Sequence, residues 1–354
     1  MQTDGNLVIY NTSGWAIWAS NTWGYPGAYL LDQQDANTVI YWTNQTALWA
    51  TNTCCRAQPN AHSWYIKNTY ANPDAATMYS IGYWVDGAFD NSTCSNSLVV
   101  LDFGQPDYVN SNYGTNYWLN YSPGYKFISN ADIITAVDNY ARGWYDRTGS
   151  CPRLHIVVGT NNSQMTPSGG TPNGAGTNWA NVAYAVQSYL SNAGYSWQIT
   201  AWAGSDMEQP GGEIPPFDCA GRTREFVDGY NSNSLATSFL DYGTAWVPNG
   251  CWTAADVYYV AYGAARNYPL PEVYTQFATD SWVSVRQQGY MSFKGVMTEC
   301  SGADALPMGS CWVGGDINEY QFSPTQAWNS LWNTLNSNGF GLSSLEYATN
   351  IKGQ

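Results

Sequence analysis

The sequence predicts a two-part chain, a small all-β module followed by an α/β, TIM-like (β/α)8 barrel, and three observations carry that prediction. The first part of the chain repeats itself with a period of 31 residues, and the repeat then stops. Beyond it, β-rich apolar runs alternate with helical patterns, which implies a parallel sheet with helices packed outside. This alternating part is about 290 residues long, near the usual size of a (β/α)8 barrel. An open doubly wound sheet is the alternative, but no glycine-rich nucleotide fingerprint, Walker motif, G-x-S-x-G elbow or HExxH pair is present.

Residues 2–10 read QTDGNLVIY and residues 33–41 read QQDANTVIY, so both satisfy Q-x-D-x-N-x-V-x-Y. The same offset relates Trp18-Ala-Ser-Asn-Thr22 to Trp49-Ala-Thr-Asn-Thr53, which makes the similarity a repeat and not one chance motif. In a strand, alternate side chains share a face. The pattern therefore predicts that Gln2, Asp4, Asn6, Val8 and Tyr10 line one surface, and Gln33, Asp35, Asn37, Val39 and Tyr41 another. Two amides, a carboxylate and a phenol supply donors and acceptors for vicinal hydroxyls, and the valine an apolar contact, which is the chemistry of a small sugar site. These residues resemble the motif of the bulb-type mannose-binding lectins (B-lectins), whose fold is a three-sided prism of β-sheets. The resemblance covers residues 1–53 and implies a partial β-prism lectin with two of the family's three repeats, each carrying a mannose site at the residues just named. It also implies mannose-containing glycans as partners. A third repeat, with a signal peptide, is expected ahead of Met1, or else the third wall comes from self-association through the lectin repeats.

Cys54, Cys55 and the following Arg-Ala-Gln-Pro-Asn mark a junction, so residues 54–74 read as a linker and residues 75–354 as the barrel. Strands are expected at 97–103, 154–159, 197–202, 237–240, 257–262 and 293–297, from their β-branched and aromatic content. Between them, Ile133, Ile134, Val137, Tyr140 and Trp144 fall on one face of a helix over 130–144, as Trp179, Val182, Val186 and Leu190 do over 178–190. Ser323-Pro-Thr-Gln326 combines a capping box with proline in the first turn, and Gly339 stops that last helix.

In such a barrel, groups just past the C-terminal ends of the strands face the pocket. Asp102, Asn161, Asn162, Asp206, Glu208, Asp241 and Glu299 stand at those positions. Asp206 and Glu208 are two apart and share a side of an extended chain. Glycoside cleavage needs a proton donor for the leaving oxygen and a carboxylate that attacks, stabilises or activates water. A close carboxylate raises its neighbour's pKa, so that the neighbour stays protonated as an acid. Glu208 is the expected general acid and Asp206 its orienting or stabilising partner. Asp102 or Glu299 would face them across the pocket, with Asp241 a further catalytic candidate. The stretches Ser205-Asp-Met-Glu208, Arg224-Glu-Phe-Val-Asp-Gly-Tyr230, Ala255-Asp-Val-Tyr-Tyr-Val260 and Ser323-Pro-Thr-Gln-Ala-Trp328 resemble uncharacterised secreted proteins of actinobacterial type. These are related to glycoside-hydrolase-like barrels, including the family 25 lysozyme class with its strand-borne D-x-E. That resemblance, over residues 75–352, implies a barrel, a bacterial source and an extracellular location. The D-x-x-D-x-D-x-E pattern of chitinase-like barrels is not met, because Ala201 and Gly204 stand where its earlier aspartates would be.

Charged residues are 11% of the chain and aromatics 16%, with 18 Trp and 28 Tyr, so surface polarity must come from Asn, Ser, Thr and Gly. Such a surface suits uncharged, hydroxyl-rich ligands with flat C–H faces. A net charge of −14 with four lysines excludes nucleic acid as a partner and disfavours acidic membrane surfaces. Eight cysteines without a CxxC, beside two histidines, argue for disulfides in an oxidising compartment; Cys300 and Cys311 are expected to close a short loop. No apolar run is long enough for a membrane helix, so no membrane insertion is expected, and no metal or cofactor. The functional expectation is a secreted carbohydrate-binding protein whose lectin repeats target a glycoside hydrolase barrel to cell-wall or extracellular polysaccharide. The alternatives are a non-catalytic carbohydrate-binding or adhesion protein, and a lectin-type bacteriocin with an inactive barrel.

Overall fold

A computed structural model describes residues 1–32, 38–50, 59–66, 71–91, 94, 96–118, 124–163, 169–209, 220–247, 251–299, 322–342 and 344–352. The chain divides into two compact units, Met1–Arg56 and Ala57–Gln354.

The first unit holds an antiparallel pair, Val8–Tyr10 with Ala16–Ala19, and an antiparallel sheet of Tyr29–Asp32, Thr38–Tyr41 and Ala47–Ala50. The sequence repeat is a repeat of the backbone. Val8 pairs with Ala19 and Tyr10 with Ala16 across a bulge, and 31 residues later Val39 pairs with Ala50 and Tyr41 with Ala47 across the same bulge. The turns match as well, with Asn11 N–H donating to Trp15 O in one and Trp42 N–H to Thr46 O in the other. Trp18 and its repeat mate Trp49 meet edge to face at 5.2 Å.

One expectation for this unit needs correcting, because the first strand begins only at Val8. Gln2 N–H donates to Asn6 O, Gly5 takes φ +90°, and the Asp4 carboxylate accepts from Asn6 N–H. Residues 2–6 therefore form a turn rather than an alternating strand, since an Asp side chain that bonds backbone two residues ahead competes with extension.

In the second unit, eight parallel strands follow one another round a barrel. They are β1 (Pro59–Tyr65), β2 (Asn96–Asp102), β3 (Arg153–Asn161), β4 (Ile199–Asp206), β5 (Phe239–Asp241), β6 (Asn267–Pro269), β7 (Gly295–Thr298) and β8 (Tyr347–Lys352). β8 pairs with β1, and the ring closes between β6 and β7, where Met297 N–H donates to Pro271 O and Val273 N–H to Met297 O. The connecting helices are α1 (Ala75–Ser80), α2 (Asn130–Arg147), α3 (Pro172–Asn192), α4 (Gly221–Ser232), α5 (Ala254–Tyr258), α6 (Gln276–Arg286) and α7 (Pro324–Ser337). This is the (β/α)8 arrangement the alternation predicts. α2 buries Ile133, Val137, Tyr140 and Trp144, α3 buries Trp179, Val182, Val186 and Leu190, and α7 carries the capping box of Ser323 with Gln326.

Two elements differ from expectation. β1 lies inside residues 54–74, which read as linker because no hydrophobic alternation marks them. Residues 257–262 are not a strand: Thr253 and Asp256 form a reciprocal capping box, and the chain runs as α5 into a π-turn, Tyr259–Gly263. The Val and Tyr content there reflects burial of Val257, Val260 and Ala261, and the cap decides the backbone.

Between β2 and α2 the chain inserts a three-stranded antiparallel sheet, Gln105–Val109, Asn112–Trp118 and Tyr125–Ser129. It is tied to the barrel mouth by Thr115 Oγ1, which donates to Phe103 O at 2.6 Å, and by Asn161 N–H, which donates to Gly104 O. A Cys94–Cys151 disulfide joins the approaches to β2 and β3 and closes a 57-residue separation, worth about 4 kcal/mol in the chain-entropy account. Cys251 is also disulfide-bonded; Cys300 and Cys311 lie outside the described residues. Among the described residues, no helix is long and apolar enough to cross a membrane.

Strand alternation builds two cores. Val99, Leu101, Ile156, Val158, Ala201, Ala203 and Phe239 face the helices, while Leu98, Val100, Val157, Leu240, Tyr242, Leu270, Met297 and Ile351 fill the barrel. Tyr242 reaches across the interior only because two inward positions beside it lack a side chain. A Cβ at Gly159 would collide with the Tyr242 hydroxyl, and one at Gly204 would press on its ring and on Val157. Gly159→Ala should therefore lower the unfolding free energy by about 1–3 kcal/mol through overpacking. An unchanged urea midpoint would mean that Tyr242 does not occupy that space.

Candidate active site

The inward register that packs Leu98 and Val100 carries Asp102 to the mouth of the barrel, and the same logic places Asp206 after Gly204, Glu272 after Leu270 and Glu299 after Met297. Met207 is buried among the helix-facing side chains. Its neighbours Asp206 and Glu208 are thereby turned back to one side, as the D-x-E spacing predicts. Carboxylate oxygens of Asp206, Glu208 and Glu272 all lie within 4.8 Å of one another. Glu208 and Glu272 are hydrogen-bonded directly.

Two bonds fix the backbone that presents the pair. The Asn162 side chain donates to Glu208 O at 2.6 Å and accepts from Glu208 N–H at 3.2 Å, holding the peptide groups on either side of Glu208. Thr244 N–H bonds the Glu208 carboxylate, and Gly243 O accepts from Glu272 N–H. Tyrosines surround the acids. The Tyr242 hydroxyl shares its proton between Asp102 Oδ2 at 2.8 Å and Thr160 O at 2.7 Å. Tyr274 bonds Glu272, and Tyr65 stands in the field of Glu272, Asp206, Asp102 and Glu299, although burial is the larger cause of its raised pKa.

Burial, then the neighbouring negative charges, hold Asp206 and Glu272 well above the usual carboxylate range. Glu208 is raised too, by burial, but the Thr244 amide and the bond from Glu272 pull it back toward its ionised form. The direction within the pair follows: Glu272 is the protonated donor and Glu208 the acceptor. Glu272 Oε1 and Asp206 Oδ1 are buried without a hydrogen-bond partner. Among the described residues this trio is also the cluster whose spacing would suit a cation, in competition with the shared proton.

The expected site residues are thus distributed unevenly. Asp102, Asp206, Glu208 and Glu299 converge at the mouth. Asp241 shares the register of the helix-facing Phe239, is 1% exposed, and binds the Gly243 and Met207 amides, with its pKa raised to about 7 by burial. Glu272, Tyr65, Tyr242 and Tyr274 were not singled out by sequence. Glu272 follows a three-residue strand containing proline, Asn267–Pro269, which carries no alternation to find.

In the first unit, Gln2 Nε2 donates to the Tyr10 hydroxyl at 2.6 Å, so the ends of the motif meet. Asn6 Oδ1 instead accepts from Ser20 and from Thr22 N–H. Val39 is buried and Tyr41 stacks on Tyr29; Gln33, Asp35 and Asn37 lie outside the described residues.

A larger cavity of 320 Å³ lies beside the N-termini of α1 and α2 and shares no residue with the acid cluster; its Asp74 caps α1.

No protein-family model and no curated protein matches the chain. Among solved structures, it is similar to CJP38, a β-1,3-glucanase and allergen of Cryptomeria japonica pollen, at 12% identity and a TM-score of 0.33, over 83% of this chain and 92% of that one.

Proposed function

We propose that the barrel is a glycoside hydrolase acting through Glu208 and Glu272, and that the chain is a secreted protein whose N-terminal repeats bind mannose-bearing glycan. The observation that carries the first half is the convergence of the Asp206, Glu208 and Glu272 carboxyls within 4.8 Å at the C-terminal mouth of the barrel, with Glu208 and Glu272 hydrogen-bonded to each other. Glycoside cleavage requires one protonated and one ionised carboxyl, and a separation near 5 Å belongs to enzymes that retain anomeric configuration. Oxygens no more than 4.8 Å apart leave no room for the intervening water that an inverting enzyme needs. Glu272 gives its proton to the leaving oxygen as Glu208 attacks the anomeric carbon and the glycosidic C–O bond breaks; water deprotonated by Glu272 then displaces Glu208 from the sugar, restoring both carboxyls. The roles are reversed from the sequence expectation for Glu208, because the pair's proton rests on its partner. Asp206 and the Asp102–Tyr242 pair line the floor. Trp246, two residues beyond Thr244, is half exposed and meets Phe277 edge to face at 5.9 Å. Its left-handed φ of +43° is unusual for a bulky residue and fits a functional constraint.

Assays on peptidoglycan, chitin, mannan and glucan, with a chelator present and the first product followed by NMR, are expected to show cleavage of one of them with retention. Inversion, or no release from any glycan, would overturn the reading. For the repeats, the Gln2–Tyr10 bond and the duplicated backbone support a sugar site, and the Cys94–Cys151 disulfide supports an extracellular setting. Calorimetry is expected to give millimolar affinity for single mannose units, as for shallow solvent-washed sites, with the heat lost in Asn6→Ala plus Asn37→Ala. Identical heats in that variant would remove the sites from those residues.

A further inference from the structure

The inserted three-stranded sheet leaves a cleft beside the acids that catalysis itself does not use. It measures 160 Å³ and is lined by Tyr65, Asp102, Gln105, Asn116, Tyr125, Asn161 and their neighbours. Tyr65 and Asp102 belong at once to this cleft and to the acid cluster, so the two spaces adjoin. The lining has a definite chemistry. Three side-chain amides and the Ser163 hydroxyl offer neutral donors and acceptors, and Tyr125, 46% exposed, presents an aromatic face. Among the described residues no Lys or Arg lines it, and the carboxylate found there, Asp102, is engaged by Tyr242 and by Gly104 N–H. Among the described residues an anion would find no counter-charge there and a cation no second carboxylate. The sheet is fastened to the barrel by the Thr115 bond to Phe103 O, and its first strand is approached through Gly104, which accepts from Asn161 N–H.

We infer that this cleft is a sugar subsite, taking one neutral pyranose unit of a chain whose neighbouring linkage lies at Glu208 and Glu272, with Tyr125 as its stacking platform. This rests on the hydrolase reading and adds to it a requirement for chain length beyond the cleaved bond.

The test uses the full chain with laminaripentaose, cellopentaose, mannopentaose and chitopentaose. In kinetics, Tyr125→Ala and Gln105→Ala are each expected to raise KM for the cleaved pentaose roughly tenfold, with a much smaller change in kcat, as loss of one stacking or hydrogen-bond contact predicts. Tyr125→Phe, which keeps the ring, should restore most of the loss from Tyr125→Ala, and a melting curve for each variant separates binding from folding. In calorimetry, the same pentaose should bind the Glu208→Gln protein and bind the Glu208→Gln, Tyr125→Ala double variant roughly tenfold less tightly. Cleavage with KM untouched by either substitution would overturn the subsite and leave the hydrolase standing. Tyr125-dependent binding without cleavage would do the reverse. Tighter binding of pentagalacturonate than of any neutral pentaose would also overturn it, as would the absence of both binding and cleavage, which removes the hydrolase as well.

Discussion

Glu272→Gln and Glu208→Gln are each expected to cut the rate of glycan cleavage by about 10²–10⁴-fold. The amide keeps the shape and removes either the proton that leaves with the aglycone oxygen or the charge that attacks. The two effects should differ in kind. Glu208→Ala removes the nucleophile and also vacates its space, so an added small anion such as azide is expected to restore turnover there by attacking in its place, with inversion at the anomeric carbon. Glu272→Gln removes the acid, so activity should survive on aryl glycosides whose leaving group needs no proton. Neither glutamine variant should melt earlier than wild type at neutral pH, because each deletes a buried ionisable group from a cluster in which three carboxyls repel one another. Wild-type activity in either variant would exclude that residue from the mechanism. The pH profile is a second readout, since the alkaline limb reports loss of the acid's proton. Burial and negative neighbours hold Glu272 well above the ordinary range, so that limb should fall far to the alkaline side of pH 4.5.

Thermal stability is expected to be greater at pH 5 than at pH 8. Asp241 sets the scale: unfolded it ionises near 3.9, folded near 7. Between those values the unfolded chain has released the proton and the folded one has not, so each step upward favours unfolding. The full difference, ~4 kcal/mol, is reached once the pH passes the folded value. Asp206 and Glu272 act in the same direction. His155 acts in the other, since burial first and Lys294 second lower it to about 4 from 6.5, and its share of stability is lost as the pH falls through that window. One histidine is set against several carboxyls, and above pH 7 it contributes no slope. Melting curves at the two pH values check the sign, and Asp241→Asn should shrink the difference while keeping an acceptor for Gly243 N–H. A higher melting temperature at pH 8, or an unchanged gap in the variant, would show that these acids are not held protonated by the fold.

Features that depend on neighbours in the chain were legible from the residues. The period of 31 fixed matching bulges in two hairpins, because pairing register follows local turn length. Amphipathic spacing located α2 and α3, and the Ser323 cap started α7. The D-x-E spacing put Asp206 and Glu208 on one side, since alternation in a strand needs no knowledge of the fold. Only the tertiary structure joined Glu272 to them. Its strand is three residues long and is held by the closure of the ring against Met297, a pairing between segments distant in sequence. Which carboxyl keeps the proton was likewise beyond the sequence, because it depends on what else is buried within a few ångströms: the Thr244 amide beside Glu208, and the field of Glu208 and Glu299 around Glu272. Local periodicity is written in the order of residues, whereas charge and desolvation are set by whatever the closed barrel brings together.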